Sequence, residues 1–350
     1  MKKQAIIPVF IPHMGCPHDC VFCNQNTITA SDAHIDSNRI RGIMDARLQD
    51  ITPLGLDLIE AAFYGGSFTG LPIATQQELL ASVIPYKKTG QIQKIRLSTR
   101  PDYISTEILD MLRLYSVDII ELGAQSFDNQ VLSLSARGHD AAQTIAACEL
   151  ILEGKFSLGI QLMVGLPGDT IEKSLHSARM AVKMKPDFVR IYPTVVLSGS
   201  ALADMYRQGV YQPFTLEEAV QAVKGMVRIF DENQIPVIRI GLKSTDNIST
   251  TTDLSGHYHP AFRQLVEGSM AFDEISTELQ KSNFRQGTVL LSAHPKSFSN
   301  MIGQKGENKK RLNAMYPNLC FKYKSDPGLP EKKYTITLQS AVENAKIFLG

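Results

Sequence analysis

"LGIQLMVGLPGDTIEKSLHSARMAVKMKPDFVRIYP", residues 158–193, holds an apolar run, a segment with apolar residues at helical spacing, and a second apolar run. Strand, helix, strand is the pattern of two parallel strands joined by a right-handed crossover, because antiparallel neighbours need only a short hairpin. The same rhythm extends outward on both sides. Candidate strands are "AIIPVFI" from Ala5, "LIEAAFYGG" from Leu58, "QKIRLST" from Gln93, "DIIELGAQS" from Asp118, and "IPVIRIGL" from Ile235 as a seventh. Between them lie helical patterns such as "IATQQELLASVIPY", "STEILDMLRLY" and "DAAQTIAACELILEG". Alternation of this kind implies a barrel or an open doubly wound sheet. Most strand ends carry polar or glycine residues, and the C-terminal edge of such a sheet is where chemistry sits.

The 350 residues suffice for one large domain with a smaller one beside it. At 43% hydrophobic and 20% charged, the composition is that of an ordinary globular protein. No apolar run approaches the roughly 18 residues of a membrane helix. Lys2 and Lys3 precede an apolar stretch that is too short for a signal sequence and is broken by Pro8 and Pro12. The expectation is a cytoplasmic protein with no membrane partner, where clustered cysteines more often bind metal than pair as disulfides.

Three of the five cysteines, Cys16, Cys20 and Cys23, fall in "HMGCPHDCVFCNQ" with the spacing C-x3-C-x2-C, in a loop after the first strand. Three soft thiolates on one loop suit an iron-sulfur cube with one iron left open. Structural zinc wants four ligands and would recruit His13, His18 or a distant residue. A redox or incidental thiol cluster is a third reading. Spacing alone leaves all three standing.

"CPHDCVFC", with Phe22 before the last cysteine, resembles the signature of the radical S-adenosylmethionine (SAM) superfamily. That resemblance implies a 4Fe-4S cluster on Cys16, Cys20 and Cys23, with SAM chelating the open iron through its amino and carboxylate groups. One electron then cleaves SAM to methionine and a 5′-deoxyadenosyl radical, which removes hydrogen from substrate. Such an enzyme also needs an electron donor such as flavodoxin or ferredoxin. "FYGGSF" resembles the superfamily's glycine motif, which assigns Gly65, Gly66 and Ser67 to the SAM methionine. An ordinary strand-to-helix turn also uses adjacent glycines.

"ELGAQSFDNQVLSLSARGH" is similar to the fourth strand and following helix of the oxygen-independent coproporphyrinogen oxidase and Elongator branches. The match implies that Gln125 touches SAM and that Arg137 meets its carboxylate, a task suited to a guanidinium fork. Alone, Arg137 would read as a helix-end charge. "GIQLMVGLPGDT" resembles the fifth strand, with Gln161 where the coproporphyrinogen oxidase branch often has a ribose-holding acid. Ser98 stands where many relatives have Glu. "RLSTRPDYI", "RGHDA" and "VRIYPTVVLSGSAL" together look most like the Elongator catalytic subunit and its shorter bacterial relatives. The family resemblance therefore implies a partial (β/α) TIM-type barrel acting on RNA, with tRNA the expected class. The chain reads as a short form without the acetyl-CoA-binding acetyltransferase domain.

Beyond residue 245 the rhythm changes. The expected organisation is a barrel over residues 1–245, a linker and a helix packing on the barrel over 246–283, and a small basic α+β module over 284–350. From Lys281 to Lys333, eleven Lys or Arg face three acids, a net of +8, so the rest carries −7 of the chain's +1. Such asymmetry points to a polyanionic partner, and a solvated basic face is the plainer reading. The tail reads as strand, helix, "IGQKG", helix, strand, strand, which resembles a KH-type RNA-binding module. Gly303, Gln304, Lys305 and Gly306 would let backbone approach phosphates, with Lys309, Lys310 and Arg311 behind them. A helix-helix turn holding two glycines fits as well. His257 and His259 read as loop histidines that could also face the active site.

Two further functions stay open beside RNA modification. One is the same radical chemistry on a small molecule such as a porphyrinogen. The other is a non-catalytic RNA-binding protein with structural zinc near Cys16.

Overall fold

The computed structural model describes residues 3–11, 16, 19–23, 35–242, 253–282, 284–339 and 344–348. The expectations attached to His13 and His18 lie outside these residues. The chain divides into two compact units, 1–260 and 261–350.

The first unit is built on seven strands: β1 (Gln4–Ile11), β2 (Leu58–Gly65), β3 (Lys94–Thr99), β4 (Ile119–Gln125), β5 (Ser157–Val164), β6 (Phe188–Pro193) and β7 (Val237–Ile240). They pair in parallel and in chain order, β1 to β7, with no pairing between the two edge strands. A doubly wound sheet reverses its order at a switch point. This one does not, so it is an open partial barrel. Crossover helices follow from local signals. Asp140 and Thr215 begin the helices Ala141–Glu153 and Leu216–Glu232 with reciprocal capping boxes, and the Thr170 side chain caps Ile171–Lys183. The helix Leu216–Glu232 turns Val220, Val223, Val227 and Phe230 inward, where they are buried. Cys148, within Ala141–Glu153, is fully buried, and burial pushes its thiol up to about 12, which makes it an inert core residue.

The interior face of the sheet is unusual in its charge. Glu60, Arg96 and Glu121, from β2, β3 and β4, are each at most 5% exposed. Arg96 bonds Glu60 Oε2 through Nε at 2.8 Å and Glu121 Oε1 through Nη1 at 2.5 Å. Arg190 of β6 completes the set, its Nε lying 3.0 Å from Glu121 Oε2. Two carboxylates and two guanidiniums thus close to neutrality, as burial of charge requires. Burial works against the charge on Arg96, but Glu121 and Glu60 outweigh it and hold the guanidinium protonated.

The second unit starts with the helix Phe262–Lys281 and continues through β8 (Gly287–Ala293), helices Pro295–Ile302 and Glu307–Met315, β9 (Leu319–Ser325), β10 (Tyr334–Gln339) and β11 (Asn344–Phe348). Its sheet runs β11-β10-β8-β9, with β8 and β9 parallel and the other pairs antiparallel. The expected order from β8 to β10 is present, and β11 adds a strand that the sequence pattern did not mark. Reading by spacing grouped the helix near 261–281 with the barrel. Its buried face, Ala271, Phe272, Ile275 and Leu279, shares one apolar core with Val289, Leu291, Met301 and Leu312 of the tail. Helical periodicity shows that a face is apolar, not which surface it covers.

Candidate active site

The strands β1 to β7 surround a cavity of about 610 Å³ toward their C-terminal ends. Cys16, Cys20, Cys23 and Phe22 line it together with Gly65, Gly66, Ser67, Gln125, Arg137 and Gln161, and Ser98 also reaches it. These eleven residues, from stretches up to 145 positions apart, therefore border one space.

Local structure explains the arrangement. At Gly65 φ is +112°, and a Cβ there would lie 2.2 Å from the carbonyl oxygen of Ile11. The Gly66 amide donates to that same carbonyl at 3.1 Å, so the glycines bring the ends of β1 and β2 together. Ser67 is buried; its hydroxyl pairs with Thr99 Oγ1 at 2.8 Å and accepts from the Arg100 amide at 3.2 Å. In β4 the register shifts between Leu122 and Gln125, and Gln125 adopts φ +65°. A bulge of this kind ends pairing and re-aims a side chain. Gln161 Nε2 lies 3.5 Å from Gln125 Oε1 across the next strand.

The cysteine loop is held by cations. Arg137 Nη1 donates to Cys20 Sγ at 3.0 Å, and Arg100 Nη1 approaches the same sulfur at 3.8 Å. Arg100 is oriented by Asp102, which takes Nε and Nη2 at 2.9 Å each, and it also donates to the Arg137 carbonyl. Arg137 Nη2 donates to the Gly123 carbonyl at 2.7 Å, and its guanidinium lies 5.9 Å from the centre of the Phe22 ring. Burial raises the Cys16 thiol above its ordinary value, against the Ser67 backbone and Arg100, which favour thiolate. Arg100 was missed in the sequence. Its signal was a charge placed just past the end of the third strand, where a crossover loop should begin.

These residues fit a cluster with SAM. The zinc reading draws on His13 or His18, which lie outside the described residues. Three thiols that line one cavity suit donors that each take a different iron. Among the described residues Arg137 has no carboxylate partner, and its buried Nε has no hydrogen-bond partner. Such a cation is suited to an anionic ligand entering the cavity.

Residues 10–181 match the family model of the radical SAM superfamily, and residues 186–271 match the radical SAM C-terminal domain. The chain belongs to the radical SAM superfamily. That family uses a 4Fe-4S cluster and SAM. A tRNA uridine(34) acetyltransferase of Methanocaldococcus infernus is 28% identical over 257 residues, 63% of this chain and 48% of that protein. An uncharacterised protein of Methanocaldococcus jannaschii is 27% identical over 296 residues, covering 81% of this chain and 88% of that one. The heme chaperone HemW of Bacillus subtilis is 22% identical over 200 residues, 55% of this chain and 52% of that protein. Among solved structures, the M. infernus Elp3 with an N-terminal deletion shares the fold, with a TM-score of 0.60, 19% identity, and coverage of 97% of this chain and 75% of that one. The chain spans about half the length of the acetyltransferases it matches. Among the described residues no helix is long and apolar enough to cross a membrane.

Next to this radical SAM site sits His139, whose side chain is fully buried and whose ring nitrogens find no well-formed hydrogen bond among the described residues, the Ala124 backbone being only a weak neighbour. Burial, then Arg137 and Arg100, push it down to about 4, with Asp102, 4.0 Å from Nδ1, opposing. A depressed folded value against an unfolded one near 6.5 means that stability is complete above pH 6.5 and is lost as pH falls through 4. Urea unfolding followed by far-UV ellipticity should show a loss of about 2 kcal/mol between pH 7.5 and pH 5. His139→Phe should remove most of it, and an unchanged pH slope in that variant would dismiss His139 as the source.

The tail residues sit on the second unit. Gly303 has φ +78°, and a Cβ there would come within 2.7 Å of the Asn308 amide nitrogen. Asn308 is buried, and its Nδ2 donates to the carbonyls of Gly268 at 2.8 Å and Asn300 at 3.0 Å. Close packing on Asn308 therefore accounts for Gly303 without a ligand. Lys305, in the left-handed region at φ +51°, and Lys310 are exposed. Lys309 lies 5.8 Å from the Tyr323 ring centre, and Arg311 stacks on Phe272 at 3.6 Å. His257, whose Nδ1 lacks a partner, is not among the residues lining the cavity, nor is His259.

Proposed function

We propose that this radical SAM enzyme modifies RNA, with tRNA as the substrate class. The observation that carries the chemistry is the single cavity bordered by the three cysteines, Gly65, Gly66, Gln125 and Arg137. In this reading Cys16, Cys20 and Cys23 hold the cluster, Arg137 takes the SAM carboxylate, Gly66 and Ser67 flank its methionine, and Gln125 and Gln161 face the nucleoside part. Phe22 packs beside Arg137 and keeps water from the loop. When bound, cluster and SAM supply a 5′-deoxyadenosyl radical that abstracts hydrogen. The chain's own part is to orient, to exclude water and to balance charge. An electron carrier of the flavodoxin or ferredoxin class, in a cytoplasmic setting, would supply the reducing equivalent.

The RNA part is supported by the +8 charge of residues 281–333 and by likeness to tRNA uridine(34) acetyltransferases. Gly303, Gln304 and Gly306 would present backbone to phosphates, and Lys305, Lys309, Lys310 and Arg311 would add charge. Filter binding of total tRNA to the full chain should weaken steeply with salt. Lys305→Glu combined with Lys310→Glu should lower the slope by about one to two phosphate contacts. Salt-independent binding, or a slope that the double variant leaves unchanged, would favour a small-molecule substrate such as a porphyrinogen.

A further inference from the structure

The cavity has a second cationic pole that SAM binding through Arg137 leaves unused. Register places Gln161, Arg190 and Arg239 in one row across β5, β6 and β7. Arg190 is committed to protein groups, although its buried Nε faces Glu121 as an ion pair without hydrogen-bond geometry. Besides Glu121 at Nε, it donates from Nη2 to the Tyr64 hydroxyl at 2.9 Å and from Nη1 to the Tyr192 hydroxyl at 3.4 Å. With Glu60, Arg96 and Glu121 it belongs to a set that already sums to zero charge.

Arg239 stands outside that balance. Among the described residues it makes a single hydrogen bond, Nε to the Gly241 carbonyl at 3.1 Å, and no ion pair. It is half-buried and lines the same cavity, so both terminal amino groups are left for something that enters. Tyr64 and Tyr192 border the space as well. Because each phenol oxygen accepts from Arg190, each keeps its own hydrogen to donate. Burial and the nearby Glu121 push the Tyr64 phenol up to about 12, so it remains a donor at neutral pH. A guanidinium with no ion pair among the described residues, lining one cavity with two phenol donors, suits a group rich in acceptors that carries negative charge.

We propose that the β6–β7 side of the cavity is an anion subsite, in which Arg239 with the hydroxyls of Tyr64 and Tyr192 holds a phosphate or carboxylate of the substrate. This rests on the cavity being the reaction chamber and deepens that reading by assigning its substrate-facing pole. A nucleotide would offer a phosphate. A propionate-bearing small molecule would offer a carboxylate with the same chemistry.

The test uses the full chain, loaded anaerobically with iron and sulfide and saturated with SAM. Calorimetric titration compares uridine 5′-monophosphate, uridine and succinate. One of the two anions should bind at least about tenfold more tightly than uridine, and Arg239→Gln should weaken it by about tenfold, the worth of a charged hydrogen bond. Arg239→Lys, which keeps the charge, should lose less than about threefold, and Tyr192→Phe a few-fold. Preference for the monophosphate identifies a phosphate source, and preference for succinate a carboxylate source. The proposal is overturned if neither anion exceeds uridine, or if Arg239→Gln and wild type bind alike while thermal unfolding shows both folded. Formation of 5′-deoxyadenosine by the same wild-type batch is scored separately. Its absence with anion binding intact would count against the radical reading and not against the subsite.

Discussion

Cys20→Ala is expected to yield colourless protein that forms no 5′-deoxyadenosine from SAM and reductant. The loop supplies three thiols for three irons, and among the described residues no other group of metal donors stands by to replace one. Of the three, Cys20 is the most buried, and it is the sulfur that receives Arg137 Nη1 at 3.0 Å with Arg100 at 3.8 Å. Removing it takes away an iron ligand and leaves two guanidiniums facing an apolar methyl. Iron after anaerobic reconstitution should fall from about four per chain to below about one, and turnover by at least about a thousandfold, roughly 4 kcal/mol. Cys320→Ala is the matched control, because that thiol is exposed on the second unit. Full colour and activity in the Cys20 variant would show that the cluster assignment is wrong.

The barrel was legible because its strands carry their own labels. Each of the seven runs is short, rich in Ile, Val and Leu, and followed by a segment of helical period, so the pattern placed all seven with small errors at the ends. The cysteine triad and the Gly65–Gly66 pair were legible for another reason: their chemistry depends on neighbours within a few positions. Arg100, Tyr64 and Arg239 were not, since their roles depend on which residue lies opposite across a strand. Spacing within one segment does not encode that register. Single charges inside apolar strands, "LIEAAF", "KIRLS", "IIELG", "FVRIY" and "VIRI", were the available hint. A charge kept in a strand covered on both faces must be paired or in use. The packing of the helix Phe262–Lys281 and of the Gly303 turn was illegible for the same reason, because their neighbours, Val289 of β8 and Asn308, are defined only by tertiary packing.

Glu121→Gln should cost about 3–5 kcal/mol of stability, the range for breaking a buried ion pair from one side. Glu121 is 2% exposed and, among the described residues, is the only carboxylate that touches both Arg96 and Arg190. Glutamine preserves the volume, so no cavity term enters. The loss comes from two guanidiniums left with Glu60 alone, in a site where desolvation is already complete. Urea midpoints at pH 7.5 measure it, and a shift worth less than about 1 kcal/mol would mean that water or Glu60 compensates. Adding Arg190→Met to Glu121→Gln restores charge balance and should recover part of the loss, although each change alone is destabilising. The same pair separates architecture from substrate handling. If the double variant regains stability but binds the anionic probe more weakly than wild type, the network's second task is to hold Tyr64 and Tyr192 in position beside Arg239. Arg190 would then be a positioning residue whose carboxylate partner, three strands from the substrate-facing edge, sets the geometry of that edge.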